Sequence, residues 1–295
     1  MRNKQIIRII IWFLLGVFLC VGGYLLYDPG RPAPVPAKRT LYEGVTYRRI
    51  VHVFPYQMIV HVIVIDRKTG GVEFFVTPPD DSHDDLPLKA RTTSRFLDEF
   101  GLQIAVNGDG FTPWWSHSLV DYYPHEGDPV IPFGFSASNG DIYTEGMDDS
   151  VGIEPTIYIT RGHYPSFNRK PSKVYTAISG DRMIVEKGEI SSGLDDTERD
   201  PRTAIGINHN GRYLYLVVVD GRQPFYSTGA TFLELARILF DQGAYFAMAL
   251  DGGGSSTMVI EGKNGEPLIL NSPIDNYIPG RERPVANHFG VYVNP

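Results

Sequence analysis

The chain has a single cysteine, Cys20, among 295 residues. That excludes a disulfide framework, a cysteine-rich zinc site and, because Cys20 lies in an apolar N-terminal run, a catalytic thiol in the remainder. Positive charge is also scarce. The 27 Lys and Arg against 34 Asp and Glu leave a net charge of −7. Sequence-independent nucleic-acid binding runs on positive charge, so no nucleic-acid partner is expected. The histidines (52, 61, 83, 117, 125, 163, 209 and 288) are scattered without a zinc-binding spacing. Gly254-Ser255-Ser256 lacks the second glycine of a nucleophile elbow, and the glycines before it lack a P-loop lysine. No internal repeat and no second proline-rich linker is found. What the chain does have is 17 Tyr, 16 Phe, 31 Gly and 22 Pro, a mix suited to strands and turns. Its 42% hydrophobic and 21% charged residues are ordinary for a globular protein and exclude wholesale disorder.

Ile9 to Leu26 is a run of 18 uncharged residues, near the lower end of the roughly 17–25 residues that span a bilayer. Arg2, Lys4 and Arg8 precede it, which favours a cytoplasmic N-terminus. Gly23-Tyr24-Leu25 is a poor signal-peptidase site, and Phe18-Leu19 before Cys20 is bulky for a lipoprotein. The expected organisation is therefore a cytoplasmic segment 1–8, a signal-anchor span 9–27 in the lipid bilayer, a proline-rich spacer 28–39 and an extracytoplasmic domain 40–295. Alternating prolines make such a spacer extended and semi-rigid.

The soluble part reads as α+β: a single globular domain of mixed β-sheet with few helices, preceded by one transmembrane helix. Gln57–Asp66 and Val72–Val76 are expected to form a hairpin. Thr93–Phe100 is a short helix stopped by Gly101. Residues 114–198 read as loops and small hairpins. Thr203–Asn208 and Tyr213–Asp220 form a hairpin across an Asn210-Gly211 turn of type I′. Thr231 and Glu234 form a capping box for the helix Thr231–Gln242. Ala244–Leu250 is an apolar strand.

Acidic strand tips are the chemistry candidates. If the helix 231–242 is a crossover, Tyr213–Asp220 and Ala244–Leu250 run parallel, and Asp220 and Asp251 share one sheet edge. Ligands bind beyond such an edge. Gly252, Gly253 and Gly254 let backbone N–H groups approach a ligand oxygen, and Ser255 and Ser256 add hydroxyls. Arg202, Arg222 and Arg283 offer guanidinium forks that match phosphate. Asn107 and Asp109 stand at a third tip, Asn107-Gly108-Asp109-Gly110-Phe111. Asp80 to Asp85 is an acidic loop with oxygen ligands for calcium but no EF-hand pattern, and reads better as a solvated loop.

These segments together resemble the phosphodiester glycosidase family. The matching pieces are 107–111, Arg202-Thr203-Ala204-Ile205-Gly206, Val219-Asp220-Gly221-Arg222, Thr231 with Glu234-Leu235-Ala236, Leu250 through Ser256, and Arg283-Pro284-Val285-Ala286-Asn287. The resemblance implies a hydrolase that cleaves the glycosidic bond of a sugar-1-phosphodiester, on a cell-envelope or exopolysaccharide glycan. Chemistry then assigns Asp251 to the anomeric carbon and Asp220 as a second carboxylate. Arg202, Arg222 and Arg283 face the phosphate, Gly252, Gly253, Ser255 and Ser256 line the loop, and Asn107 and Asp109 hold sugar hydroxyls. No cofactor is required by this scheme. Two other readings stand beside it: a metal-dependent phosphodiesterase with a divalent cation on Asp109, Asp220 and Asp251, and a non-catalytic envelope glycan binder using Trp114-Trp115.

Overall fold

The computed structural model describes residues 2–32, 34–80, 86–146 and 154–293. Most of the acidic loop (81–85) lies outside them. The chain opens with α1 (Arg2–Gly30), whose stretch Lys4–Gly23 has a mean hydropathy of 2.4 and no packing partner. It is long and apolar enough to cross a membrane. The helix continues to Gly30 and the first strand starts at Ala37, so the extended spacer between them is short.

The rest is mostly sheet. The strands that position the site are β1 (Met58–Asp66), β2 (Ile104–Asn107), β3 (Arg202–Ile207), β4 (Tyr213–Val219), β5 (Phe246–Ala249), β6 (Met258–Glu261) and β7 (His288–Val293). Helix α2 (Thr93–Phe100) precedes β2, and α3 (Phe232–Asp241) joins β4 to β5. Among the described residues the first sheet has eight strands, in the order Ala37–Tyr42, Val45–His52, β1, β4, β3, β5, Arg182–Glu186, Glu189–Ile190. The second has five: Pro267–Ile269, β6, β2, β7, Val72–Val76. A third, also of five strands, is built wholly from the middle of the chain, between Phe135 and Ser179.

Layering follows from the side-chain period of two along a strand. Ile63 and Ile65 of β1, with Leu214, Leu216 and Val218 of β4, face inward to a core shared with Ile104, Val106, Phe289 and Val291 of the second sheet and Ile157 and Ile178 of the third. Val60 and Val62, with Val217 and Val219, face the other way, onto Leu235, Ala236 and Leu239 of α3. Helix α2 covers the outer face of the second sheet through Phe96 and Leu97. Both faces of the central strands are thus buried, which is why they read as continuous apolar runs rather than as alternations.

The α+β class and the single domain agree with the expectation. Both helices fall where expected: Gly101 ends α2 with φ 62 and Thr231 and Glu234 form a complete capping box on α3, and the structure adds Thr92 as the N-cap of α2. The expected hairpin of residues 57–76 does not form. β1 pairs with Val45–His52 and β4, whereas Val72–Val76 pairs with β7, so the turn carries the chain from one sheet to the other across the core. The hairpin β3–β4 is present, but of its turn residues Gly211 alone has positive φ (63), and Gly211 N–H bonds to Asn208 O at 2.9 Å, so the turn is not type I′. β4 and β5 do run in the same direction, with β3 between them and antiparallel to both.

Thr231→Ala removes the hydroxyl that accepts from Glu234 N–H and should lower the unfolding free energy by about 1 kcal/mol. Urea denaturation in detergent micelles measures it, and an unchanged midpoint would show that packing alone holds α3.

Candidate active site

The three sheets meet at one edge, and the tips there are tied together by backbone. Asp251 N–H donates to Gly108 O at 2.9 Å, joining the β5 tip to the β2 tip. The fully buried Asn107 amide donates to Asp251 O at 2.8 Å and accepts from Thr203 Oγ1 at 2.8 Å and Thr257 N–H at 3.1 Å. Gly134 N–H donates to Asp109 Oδ2 at 2.7 Å, bringing the third sheet in. A Cβ on Gly108 would stand 2.7 Å from Asn287 O, so only a bare backbone fits.

Around these tips lies a cleft of about 400 Å³. Asp109, Glu154, Asp181 and Asp251 line it together with Arg202, Arg222 and Arg283. Gly252, Gly253 and Gly254 form part of its wall, and Trp114 and Phe133 add aromatic faces. The glycines have distinct duties. Gly253 has φ +59, and a Cβ there would meet Arg222 Nη2 at 3.0 Å. A Cβ on Gly254 would sit 2.8 Å from Arg283 Cζ. Two guanidinium groups therefore lie against the glycine backbone, and a side chain at either position would push them away.

The arginines differ in how they are held. Arg222 forks onto Asp200 (2.8 and 3.0 Å), and Arg283 bonds Asp275 at 2.7 Å and Ser255 Oγ at 3.3 Å. Arg202 is buried, donates to the backbone oxygens of Ala230 and Glu198 at 3.2 Å each, and lies 3.9 Å from the centroid of the Phe232 ring. Among the described residues it forms no ion pair, and burial pulls its pKa down. Asp200, Glu198, Asp181 and Asp195 counter that burial from a distance, but none is in contact, so the guanidinium is left open to a bound anion.

The acids are pushed the other way. Burial, then the neighbouring Glu154, holds Asp109 well above the ordinary carboxylate range. Burial raises Asp251 as well, partly offset by its bond to Ser255 and by Arg283. Burial, then Asp181, raises Glu154, and its Oε2 is buried with no hydrogen-bond partner among the described residues. Carboxyls displaced toward neutrality in a cleft are what acid–base chemistry needs.

Of the residues singled out in the sequence, Asp109, Asp251, Arg202, Arg222, Arg283, Gly252 and Gly253 come together here. Four do not line the cleft. Asn107 is the clamp just described. Ser255 is buried beside Asp251 and accepts from Arg283, and Ser256 is buried with its hydroxyl unpartnered among the described residues. Asp220 is fully buried: it accepts from Ser272 N–H at 2.6 Å and bonds His61 Nε2 at 3.0 Å, and His61 Nδ1 in turn meets Tyr47 Oη at 2.8 Å. The pleat explains this. Asp220 follows the parity of Leu216 and Val218, which point between the sheets, whereas Arg202 shares the helix-side parity of Ala204. Asp109, Asp220 and Asp251 thus do not converge, and no group of three acidic or histidine side chains suited to a metal is found among the described residues. Trp115 stacks on Tyr123 at 4.5 Å rather than pairing with Trp114 at the cleft.

Glu154 and Asp181 escaped the sequence reading because their neighbourhood reads as loops. The signal was there: Ser179-Gly180-Asp181 ends an apolar strand in a glycine and an acid, as the other two tips do.

Similarity to known proteins agrees with this geometry. The phosphodiester glycosidase family model matches residues 100–292, and the chain belongs to that family. An SPbeta prophage-derived uncharacterized protein, YomE, of Bacillus subtilis (strain 168) is 33% identical over 99 residues, which is 34% of this chain and 14% of that protein. The catalytic domain of zebrafish N-acetylglucosamine-1-phosphodiester α-N-acetylglucosaminidase superposes with a TM-score of 0.60 at 20% identity, covering 89% of this chain and 85% of that one. A hypothetical protein from Synechocystis gives a TM-score of 0.56 at 15% identity, over 89% of this chain and 64% of that one. At these identities the two structures share the fold.

Asp220→Ala strips a buried partner from His61 and from Ser272 N–H and should destabilise the chain by roughly 3 kcal/mol in urea denaturation. The rate per folded molecule should stay near wild type. A folded variant without activity would return Asp220 to the chemistry.

Proposed function

We propose that this chain hydrolyses the bond between the anomeric carbon and the phosphate oxygen of a sugar-1-phosphodiester, on a cell-envelope or exopolysaccharide glycan. One observation carries the reading: a buried guanidinium with no ion pair among the described residues, Arg202, lines the same cleft as a set of carboxyls with raised pKa. Water adds its oxygen to the anomeric carbon. The carbon–oxygen bond breaks, and its electron pair leaves with the phosphate. The products are a free sugar and a phosphate monoester.

Each group has a task set by charge. The transition state resembles an oxocarbenium ion, which ionised Asp251 stabilises. The phosphate gains negative charge as the bond breaks, so Arg202, Arg222 and Arg283 hold the transition state more tightly than the ground state. Phosphate leaves readily, so protonation of the leaving group matters less than it does for an alcohol. Glu154 takes the part of second carboxylate and base for water, since burial moves its pKa toward working pH. Asp109, which burial pushes toward the neutral form, donates a hydrogen bond to a sugar hydroxyl when protonated. Trp114, 48% exposed at the cleft, offers a flat face to a sugar ring. That same exposed indole favours the second reading, a glycan binder that never turns over. We read α1 as a single-pass anchor, with residues 1–8 cytoplasmic and 40–295 on the far side. Its apolar length and the basic residues Arg2, Lys4 and Arg8 support this.

Full-length protein in detergent should release reducing sugar from model sugar-1-phosphodiesters. Asp251→Asn should cut kcat ~10³-fold and Arg202→Ala ~10²-fold with the fold intact by circular dichroism. Glu154→Gln should cut kcat ~10²-fold with KM nearly unchanged. Turnover unaffected by Asp251→Asn would remove the assignment, and no turnover in wild type would favour the binder.

The pH profile follows from the same shifts. Asp251 must be ionised and its pKa is raised, so kcat should climb with pH through a value above the ordinary ~3.9 of an aspartate. Asp109 acts in its protonated form, so KM should rise as pH climbs through its raised pKa, and Asp109→Asn should flatten that rise. Steady-state kinetics across pH would test both limbs.

A further inference from the structure

The strand registers put several unrelated features on one edge of the first sheet. Ala37 lies beside Arg49, His52 beside Met58, Val60 beside Val219, Val219 beside Arg202, and Ala204 beside Ala249. The edge that carries Arg202 and the Asp251 tip is therefore also the edge where the chain arrives from α1 and where the loop between His52 and Met58 projects. That loop exposes Val53 (78%) and Phe54 (90%). It is tied to the loop after β4 by Thr228 N–H donating to Gln57 O at 2.8 Å, and that second loop exposes Phe225 (64%).

The exit of α1 is fastened at the same place. Arg31, the residue after α1, donates to Gln223 Oε1 and to Ser272 Oγ (3.1 Å), and its guanidinium lies 3.4 Å from the centroid of the Tyr226 ring. Gln223 directly follows Arg222 of the cleft. Exposed Lys38 and Arg39 begin the first strand at this edge, and Arg49 beside them bonds Val35 O at 2.8 Å. These basic residues lie on the side of the edge where the chain arrives from α1, apart from the acids of the cleft.

We infer that this edge is a membrane-docking surface whose occupant is the bilayer that α1 spans. Val53, Phe54 and Phe225 enter its interfacial layer, and Lys38, Arg39 and Arg49 meet anionic headgroups. Large apolar tips are unfavourable in water and favourable at the acyl–headgroup boundary. The Arg31 contacts fasten the end of α1 to this edge of the domain. The inference rests on reading α1 as an anchor, and it deepens the proposed function: the cleft opens toward phosphodiesters carried at a membrane surface.

The scarcity of cysteine makes the test direct. Full-length protein labelled with a thiol-reactive fluorophore is reconstituted into phosphatidylethanolamine–phosphatidylglycerol vesicles. Quenching by acyl-chain nitroxide lipid is compared with quenching by aqueous iodide. In a Cys20→Ser background, reporters at Phe54→Cys and Phe225→Cys should be quenched several-fold more by nitroxide lipid than a reporter at Asn210→Cys, on the opposite edge. If both behave like the Asn210→Cys reporter while wild-type Cys20 is lipid-quenched, the anchor stands and the docking surface is wrong. If the Cys20 label is also lipid-inaccessible, the anchor reading falls and takes the docking surface with it. Shielding of the Phe54→Cys label from both quenchers would mean a protein contact, and would overturn the bilayer as occupant.

Discussion

The site hangs on one buried amide. Asn107 is fully enclosed and uses its side chain to hold the Asp251 carbonyl, the Thr203 hydroxyl and the Thr257 N–H at once. Those three contacts lie just past β5, on β3 and in the run into β6, so a single residue locks the tips of two sheets together. With the Asp251–Gly108 backbone bond beside it, the clamp leaves little freedom for the two acidic tips to separate. A buried amide with its bonds made rigidifies its surroundings, and one left unsatisfied would be expensive. The apolar core between the sheets supplies the stability, and the clamp converts that rigidity into a fixed spacing of charges.

Fixed charges in a partly closed cleft behave differently from charges at a surface. Burial raises Asp109, Asp251 and Glu154 together, so each gives up its proton less readily than a surface carboxyl. Arg222 and Arg283 are each balanced by an aspartate, which positions them but spends much of their attraction. Arg202 is held by carbonyl dipoles and an aromatic face, which orient a cation without neutralising it. Pressing Arg222 and Arg283 onto bare glycine backbone concentrates positive charge beside the Asp251 tip. A phosphate and the adjoining anomeric carbon make matching demands: negative charge needs cations on one side, and a developing carbocation needs a carboxylate a bond away.

Much of this was legible in the chain itself. Apolar runs ending in Asn-Gly-Asp and in Asp-Gly-Gly-Gly marked two of the tips, because a charge followed by bare backbone at a strand end is hard to explain otherwise. Local capping chemistry located α2 and α3, since caps depend on residues three apart. The same reading placed Asp220 among the chemical residues on the strength of a strand end and a following glycine. Its pattern matches that of Asp251, and the difference between them is which face of the pleat each tip continues. Glu154 and Asp181 lay in a segment of short strands, and Asp181 sits where the chain passes from the third sheet to Arg182–Glu186, which pairs with β5, so no local periodicity announced them.

The sequence by itself determined the apolar helix, the sheet-rich class, the helix ends and the family, because hydrophobic period, capping residues and glycine-flanked acids are local properties written in neighbouring positions. The tertiary structure alone decided which acids share a cleft, that Val72–Val76 joins the second sheet rather than folding back on β1, and that Asp220 turns inward. Those outcomes depend on strand register and on which sheet covers which face. Register is a relation between distant segments, and a shift of one residue exchanges the core side of a strand for the open one.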